Sequence, residues 1–339
     1  MVPIEDVKRH TLYFIAPGQV SLQSEELPQL QPDQVLVQTI LSAISAGTEL
    51  LFYRGQFPQD IPVDESLPAL SQDGAYPLKY GYSAVGRVVA VGSAVQNGWE
   101  NRLVFSFHPH ESHFCAKTSE LIPIPDGIPL EDAVFLPNME TAVNLVMDGA
   151  PLIGERVVVF GQGVVGLLTA ALLSRFPLGR LITFDRYPIR RRTSLEMGAF
   201  ASFDPDEITQ AKSILSNEAD LSYELSGSPD ALNQAIAITG YAGRVVIGSW
   251  YGQKKATLDL GGRFHRSRIH LVSSQVSTIA PEFSARWSKE RRLTVAWDMI
   301  RQMRPSRLIT RRIPFTQAQS AYEILDKNPE QNIQIIFSY

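Results

Sequence analysis

Residues 156–173, RVVVFGQGVVGLLTAALL, constrain the fold more than any other stretch of this chain. An apolar, β-branched run feeds into Gly161, Gly163 and Gly166, and an apolar helical segment follows. Glycines at this spacing have separate physical tasks. Gly161 permits a tight turn, Gly163 lets the backbone approach a pyrophosphate, and Gly166 lets the helix pack closely on the strand. The helix then turns its first N–H groups, at Val164 and Val165, and the positive end of its dipole toward phosphate. Three glycines alone would be a weak motif; the strand before them and the helix behind them supply the context the mechanism needs. A second apolar run, LITFD, ends in Asp185, 24 positions past Gly161. A carboxylate there accepts hydrogen bonds from ribose hydroxyls and repels a 2′-phosphate, which favours NAD and leaves NADP as the alternative. Arg186 and Arg190 weigh the other way, since either can pair with a 2′-phosphate, stack on adenine or simply stand in solvent. Ser226, Gly248 and Ser249 end later apolar runs and are expected to border the same cofactor.

The organisation around this unit is uneven. The first third alternates short β-like runs with turns, including HTLYFIAPGQVSLQ and DQVLVQTILSAIS. A stretch rich in Pro, Asp, Ser and Gly over 54–80 reads as a long loop, the kind that often serves binding. From about residue 130, PLEDAVFLPNMETAVNLVMDGA has helical spacing broken by Pro137, and strands and helices then alternate as far as RIHLVSS. That alternation, with near-continuous apolar strands, predicts a parallel sheet covered on both faces. The tail reads as helix, strand, helix, strand.

Bulk properties narrow the function. With 339 residues, two domains are expected. A net charge of −4 without a basic block argues against nucleic acid as a partner. No apolar run reaches the ~18 residues of a membrane span, and the first ten residues hold no apolar stretch of the kind a secretory leader needs. Cys115 is the single cysteine, so an intramolecular disulfide and a metal site of several thiolates are both excluded, in keeping with a cytoplasmic location.

Taken in order, LSAISAGTELLFYRG, YGYSAVGRVVAVG, PNMETAVNLV, the glycine-rich unit and RLITRRIPFTQAQSAYEIL resemble the medium-chain dehydrogenase/reductase superfamily over nearly the whole chain. The phrases AGTE and GYSAVGRVV look most like a branch that includes bacteriochlorophyllide and polyol dehydrogenases. The resemblance implies an α/β protein. A Rossmann doubly wound parallel sheet over 138–276 would join a GroES-like β-rich catalytic domain built from 1–137 and 277–339. It implies hydride transfer between a nicotinamide and a small-molecule alcohol or carbonyl, in a homodimer. It also implies that Thr141 abuts the nicotinamide.

The departures are as informative. Ala46 stands where the zinc enzymes place a cysteine, Tyr82 where they place a histidine, Ser83 where a glutamate follows, and Leu136 near a further ligand. The four-cysteine structural lobe is absent. Zinc takes about four N, S or O donors, so neither a catalytic nor a structural zinc is expected. Without it, hydrogen-bond donors must hold the oxygen charge and pass the proton. Thr48 aligns with the family's relay hydroxyl, or else caps a helix. Tyr82 points a phenol into the same pocket, or is a half-buried aromatic. In FHPHESHF, His108 and His110 would share a strand face and act as proton donors or orient substrate. The HxHxxH spacing with His113 also admits a metal site or a surface loop. Glu49 and Glu140 are expected in structural pairs, and Trp250 and Tyr251 either beside substrate or on a dimer surface. Two other functions remain open: an NADPH-dependent quinone or enoyl reductase, and a non-catalytic dinucleotide sensor.

Overall fold

A computed structural model describes residues 8–58, 74–216 and 218–339. The central part of the loop expected over 54–80 lies outside the described residues. The chain forms two compact units, Met1–Pro137 with Arg304–Tyr339, and Asn138–Met303.

The first unit opens with an antiparallel hairpin of β1 (Lys8–Ala16) and β2 (Gln19–Glu26). Next come β3 (Gln34–Ala43), α1 (Ala46–Tyr53), β4 (Ala84–Val91), β5 (Leu103–Ser106), β6 (His113–Lys117), β7 (Leu121–Pro123) and the short α2 (Leu130–Ala133). Helix α3 (Leu136–Gly149) carries the chain across the boundary. Pro137 sits in its first turn, where a missing N–H removes no helical hydrogen bond, so it starts this helix rather than breaking one.

The second unit follows with β8 (Arg156–Phe160), α4 (Val164–Leu173), β9 (Arg180–Phe184), α5 (Pro188–Glu196), β10 (Ala201–Phe203) and α6 (Ile208–Leu215). It continues with β11 (Ala219–Glu224), α7 (Pro229–Ile238), β12 (Thr239–Ile247), β13 (His270–Ser273) and α8 (Lys289–Met303). Its strands are all parallel, in the order β10-β9-β8-β11-β12-β13. Counted along the unit this is 3-2-1-4-5-6, the doubly wound arrangement. Strand β8 is buried from Val157 to Phe160, as a strand covered on both faces must be. The strand order reverses between β8 and β11, where Phe160 lies beside Glu224, and the carboxyl ends at such a point are where ligands bind.

The unit ends later than the sequence suggested. Helix α8 was expected with the tail, but its Arg292, wholly buried, is held from inside the second unit. Its guanidinium donates to Glu140 Oε1 at 2.8 Å, to Asn144 Oδ1, and to the carbonyls of Val276 and Thr278. A buried cation needs such partners, and all of them lie on α3 or the 274–278 segment.

The chain then returns to the first unit as β14 (Ile309–Pro314), α9 (Ala318–Lys327) and β15 (Gln334–Ser338). The main sheet runs β14-β15-β3-β4-β5-β7, with β6 also paired to β3. Strand β3 holds β4 along one edge and shares the other, with β6 against Gln34–Gln38 and β15 against Leu41–Ala43. The aromatic core of this unit draws Phe14, Phe52 and Phe57 from the start of the chain and Tyr322 and Phe337 from its end.

Candidate active site

At the reversal point of the parallel sheet, the turn after β8 is shaped by its glycines. Gly161 has φ +90°, and a Cβ there would stand 2.6 Å from the backbone of Leu225 and Ser226. A Cβ on Gly166 would stand 1.9 Å from the Gly161 oxygen, so helix and turn touch backbone to backbone. Gly163 is different: a side chain there would meet nothing within 4 Å. It is also the N-cap of α4, and no side chain caps that end. The N–H groups of the first turn, at Val164 and Val165, are therefore available to an anion, with the helix dipole behind them. Of the three glycines, Gly163 alone leaves open space beside it, which is the room an anion approaching the helix end needs.

Asp185 stands at the end of β9, only 6% exposed. Its carboxylate accepts the Gln162 N–H at 2.7 Å and the Tyr187 N–H at 2.9 Å, which ties the second strand end to the glycine turn. Arg190 approaches the same carboxylate at 3.8 Å and lies over the Tyr187 ring. Arg191 donates to the Asp185 carbonyl and to Asp204, and Arg186 is exposed.

The far side of the reversal point is organised by Glu224, which motif reading passed over. Wholly buried, it accepts from Ser226 N at 2.7 Å, Ser226 Oγ at 2.5 Å, Gly227 N at 3.1 Å and Tyr251 Oη at 2.7 Å. Burial and the adjacent Glu224 carboxylate push the Tyr251 phenol far above its ordinary pKa, so it stays a donor. Ser249 Oγ accepts the Gly227 N–H at 2.8 Å. Gly248 packs against Leu145 and Leu225 with no room for a side chain. Tyr251 thus latches the segment after β12 onto the end of β11. Thr141 is half-buried on α3, and Trp250 is exposed.

In the first unit, the stretch lacking the zinc-ligand residues holds a cluster of hydroxyls. Tyr82 Oη is hydrogen-bonded to Ser45 Oγ, and Thr48 Oγ1 lies 3.4 Å from it. Ser45, Thr48 and Tyr82 are all half-buried, and Gly47 between them is exposed. Helix α1 has Ser45 as its N-cap residue, so Thr48 sits inside the first turn and does not cap it.

His110 is not beside these hydroxyls as a donor to substrate. It is wholly buried, with Nδ1 2.7 Å from Ser42 Oγ and Nε2 3.1 Å from Glu49 Oε2. Glu49 also accepts the Ser45 N–H at 2.7 Å and the Tyr322 hydroxyl at 2.5 Å. Both imidazole nitrogens are therefore committed to core partners. The expectation that His108 and His110 share a strand face fails for a simple reason: both lie in the connection between β5 and β6. His108 stacks on Phe114, with ring centroids 3.9 Å apart, and burial pushes its pKa down. His113, in β6, pairs with Ser112 Oγ. Glu140 is paired with Arg292, as expected of a structural carboxylate.

A doubly wound parallel sheet with an uncapped, glycine-lined helix end, in one chain with a β-rich unit, is an arrangement shared with two-domain dinucleotide-dependent oxidoreductases. The comparisons agree. Residues 164–293 match the family described as zinc-binding dehydrogenase. The (R,R)-butanediol dehydrogenase of Bacillus subtilis (strain 168) is 26% identical over 67% of this chain and 73% of its own length. The D-guloside 3-dehydrogenase of Escherichia coli (strain K12) is 23% identical over 96% of this chain and 98% of its own. A crystal structure of an alcohol dehydrogenase from E. coli CFT073, complexed with NADH, superposes with a TM-score of 0.79 at 17% identity, covering 98% of this chain and 99% of that one. Over nearly its whole length the chain is thus similar to alcohol and polyol dehydrogenases of the medium-chain dehydrogenase/reductase superfamily.

Proposed function

We propose that this chain transfers a hydride between NAD(H) and an alcohol or carbonyl carbon, and does so without zinc. The observation that carries the reading is the Tyr82–Ser45–Thr48 hydroxyl cluster, in the stretch where metal-dependent relatives hold their ligands.

The donor set there does not fit zinc. Ala46 offers a methyl group, the Tyr82 phenol is engaged with Ser45, and His110 has no nitrogen to spare. Zinc takes about four N, S or O donors, and among the described residues no three His, Cys, Asp or Glu side chains converge. The family match named for zinc binding spans 164–293, which includes neither Ala46 nor Tyr82. No step is therefore routed through a metal.

When bound, the nicotinamide supplies or accepts the hydride. The N–H groups of Val164 and Val165 hold the pyrophosphate, and Asp185 accepts from the ribose hydroxyls. Thr141, Ser226, Gly248 and Ser249 border the nicotinamide half. NAD is the proposed coenzyme, because the Asp185 carboxylate opposes a 2′-phosphate more directly than Arg186 or Arg190 favours one. In the reducing direction the Tyr82 O–H donates to the carbonyl oxygen. The phenol proton would pass to that oxygen, and water would restore it by way of the Thr48 hydroxyl. Positioned acids of this kind contribute about 10²–10⁴-fold.

The test is turnover by chelator-treated protein with NADH and NADPH across a panel of alcohols, ketones and enones. We expect metal-free activity with NADH. Tyr82→Phe should lower kcat by about 10²-fold or more with NADH affinity unchanged. Loss of activity on chelation and its recovery with zinc would overturn the reading. Preference for NADPH and an enone would favour the reductase alternative, and tight NADH binding with no turnover a sensor.

A further inference from the structure

Ser45 lies in LSAISAGTELLFYRG with no role assigned to it there, yet the geometry around it is more constrained than that around Thr48. Its hydroxyl is the direct partner of Tyr82 Oη, whereas Thr48 Oγ1 at 3.4 Å is at the outer limit of a hydrogen bond. Its backbone is anchored separately: the Ser45 N–H donates to Glu49 Oε1 at 2.7 Å. Glu49 in turn has no freedom to move. It is wholly buried, and its other oxygen accepts from Tyr322 Oη at 2.5 Å and His110 Nε2 at 3.1 Å. His110 Nδ1 meets Ser42 Oγ at 2.7 Å, and Ser42 Oγ meets Tyr339 Oη at 2.9 Å. A run of hydrogen bonds therefore fixes one serine from the core outward and ends on the half-buried phenol.

We infer that Ser45 is the positioning residue for Tyr82: its hydroxyl donates to the phenol oxygen and so directs the Tyr82 proton outward, toward the substrate oxygen. A phenol O–H lies near the ring plane and has two favoured directions. A Ser45 proton on one side of the oxygen disfavours that direction for the phenol's own hydrogen, which takes the opposite one in preference. The Glu49–His110 pair serves this arrangement from behind, by holding the Ser45 backbone, and touches no reacting atom. The inference rests on the reading of Tyr82 as proton donor, so its test must separate the two.

Three variants of the full chain do this: Tyr82→Phe, Ser45→Ala and Ser45→Thr. Two readouts are taken, kcat and KM on whichever carbonyl of the panel is turned over, and NMR of protein labelled with tyrosine at 13Cζ. The Tyr82 line is identified by its loss in Tyr82→Phe. Ser45→Ala keeps the backbone bond to Glu49, so it is expected to fold. It should lower kcat about tenfold, the worth of one ordinary hydrogen bond, leave KM within about twofold, and move the Tyr82 line. Ser45→Thr should restore both. Should Ser45→Ala fold poorly, Ser45→Cys keeps the side-chain size with a weak donor and should move both readouts in the same direction. Unchanged kcat and an unmoved Tyr82 line in Ser45→Ala overturn the inference. Wild-type turnover by Tyr82→Phe overturns the reading of Tyr82 instead, and the NMR line then still reports whether Ser45 orients the phenol.

Discussion

Flat against the Phe114 ring, the His108 imidazole is pushed below its ordinary pKa by burial, which Glu111, 3.9 Å away, only partly opposes. The fold thus prefers the neutral ring, while the unfolded chain takes up a proton near pH ~6.5. The stability this ring supplies is complete above that pH and is lost as the pH falls through it toward the lower folded value. His108→Phe preserves the stacking and removes the titration. Its urea midpoint should change less than that of the wild type between about pH 7 and about pH 5; equal changes would refute the assignment. The sequence showed three histidines in six residues but not that His110 would turn inward to Glu49 and Ser42. That direction depends on β15 and α9, from the far end of the chain, and no local pattern encodes it. Ser45 was missed for the same reason, since a serine in SAISAGTE looks like any other until Tyr82 is folded against it.

The turn between β8 and α4 is the opposite case. Its strand, glycine spacing and helix start lie within a few residues of one another, so the chain spells them out locally, although the backbone that excludes a side chain at Gly161 belongs to Leu225 and Ser226. Folding adds a division of labour that the motif does not state. Gly161 and Gly166 are demanded by the fold, because a Cβ at either would strike backbone, and Gly163 is left to the ligand. Gly166→Ala should therefore lower the melting temperature by several degrees. Gly163→Ala should leave that temperature nearly unchanged and weaken NADH binding about tenfold or more, measured by the fluorescence of bound NADH. If Gly163→Ala bound NADH as the wild type does, the anion would have to lie elsewhere. Glu224 escaped notice because a buried carboxylate at a strand end is visible only once Ser226, Gly227 and Tyr251 close around it.

Across the whole molecule, the sequence conveyed the succession of β-rich part, parallel sheet and returning tail, but not where the second unit stops. Helix α8 has the same amphipathic character whichever core it serves, and Arg292 reads as a surface charge until its partners are known. Arg292→Ala would strand the buried Glu140 carboxylate and free the Val276 and Thr278 carbonyls. Breaking a buried pair in this way costs about 3–5 kcal/mol, to be seen in urea unfolding of the full chain. A loss under about 1 kcal/mol would mean that water replaces the guanidinium. The sharing of one β3 edge between β6 and β15 has a consequence for the order of folding. The Gln334 side chain closes onto the Ile44 carbonyl from 290 residues farther along the chain, and β15 pairs with Leu41–Ala43 beside it. During synthesis the parallel sheet emerges as one continuous stretch and can fold as it appears. That part of β3 must wait with its backbone groups unpaired until β15 leaves the ribosome, a template for pairing with other nascent chains. Slow elongation through the second unit, or a ribosome that stops before Gln334, would therefore leave the first unit open at the edge that supports Ser45 and Glu49.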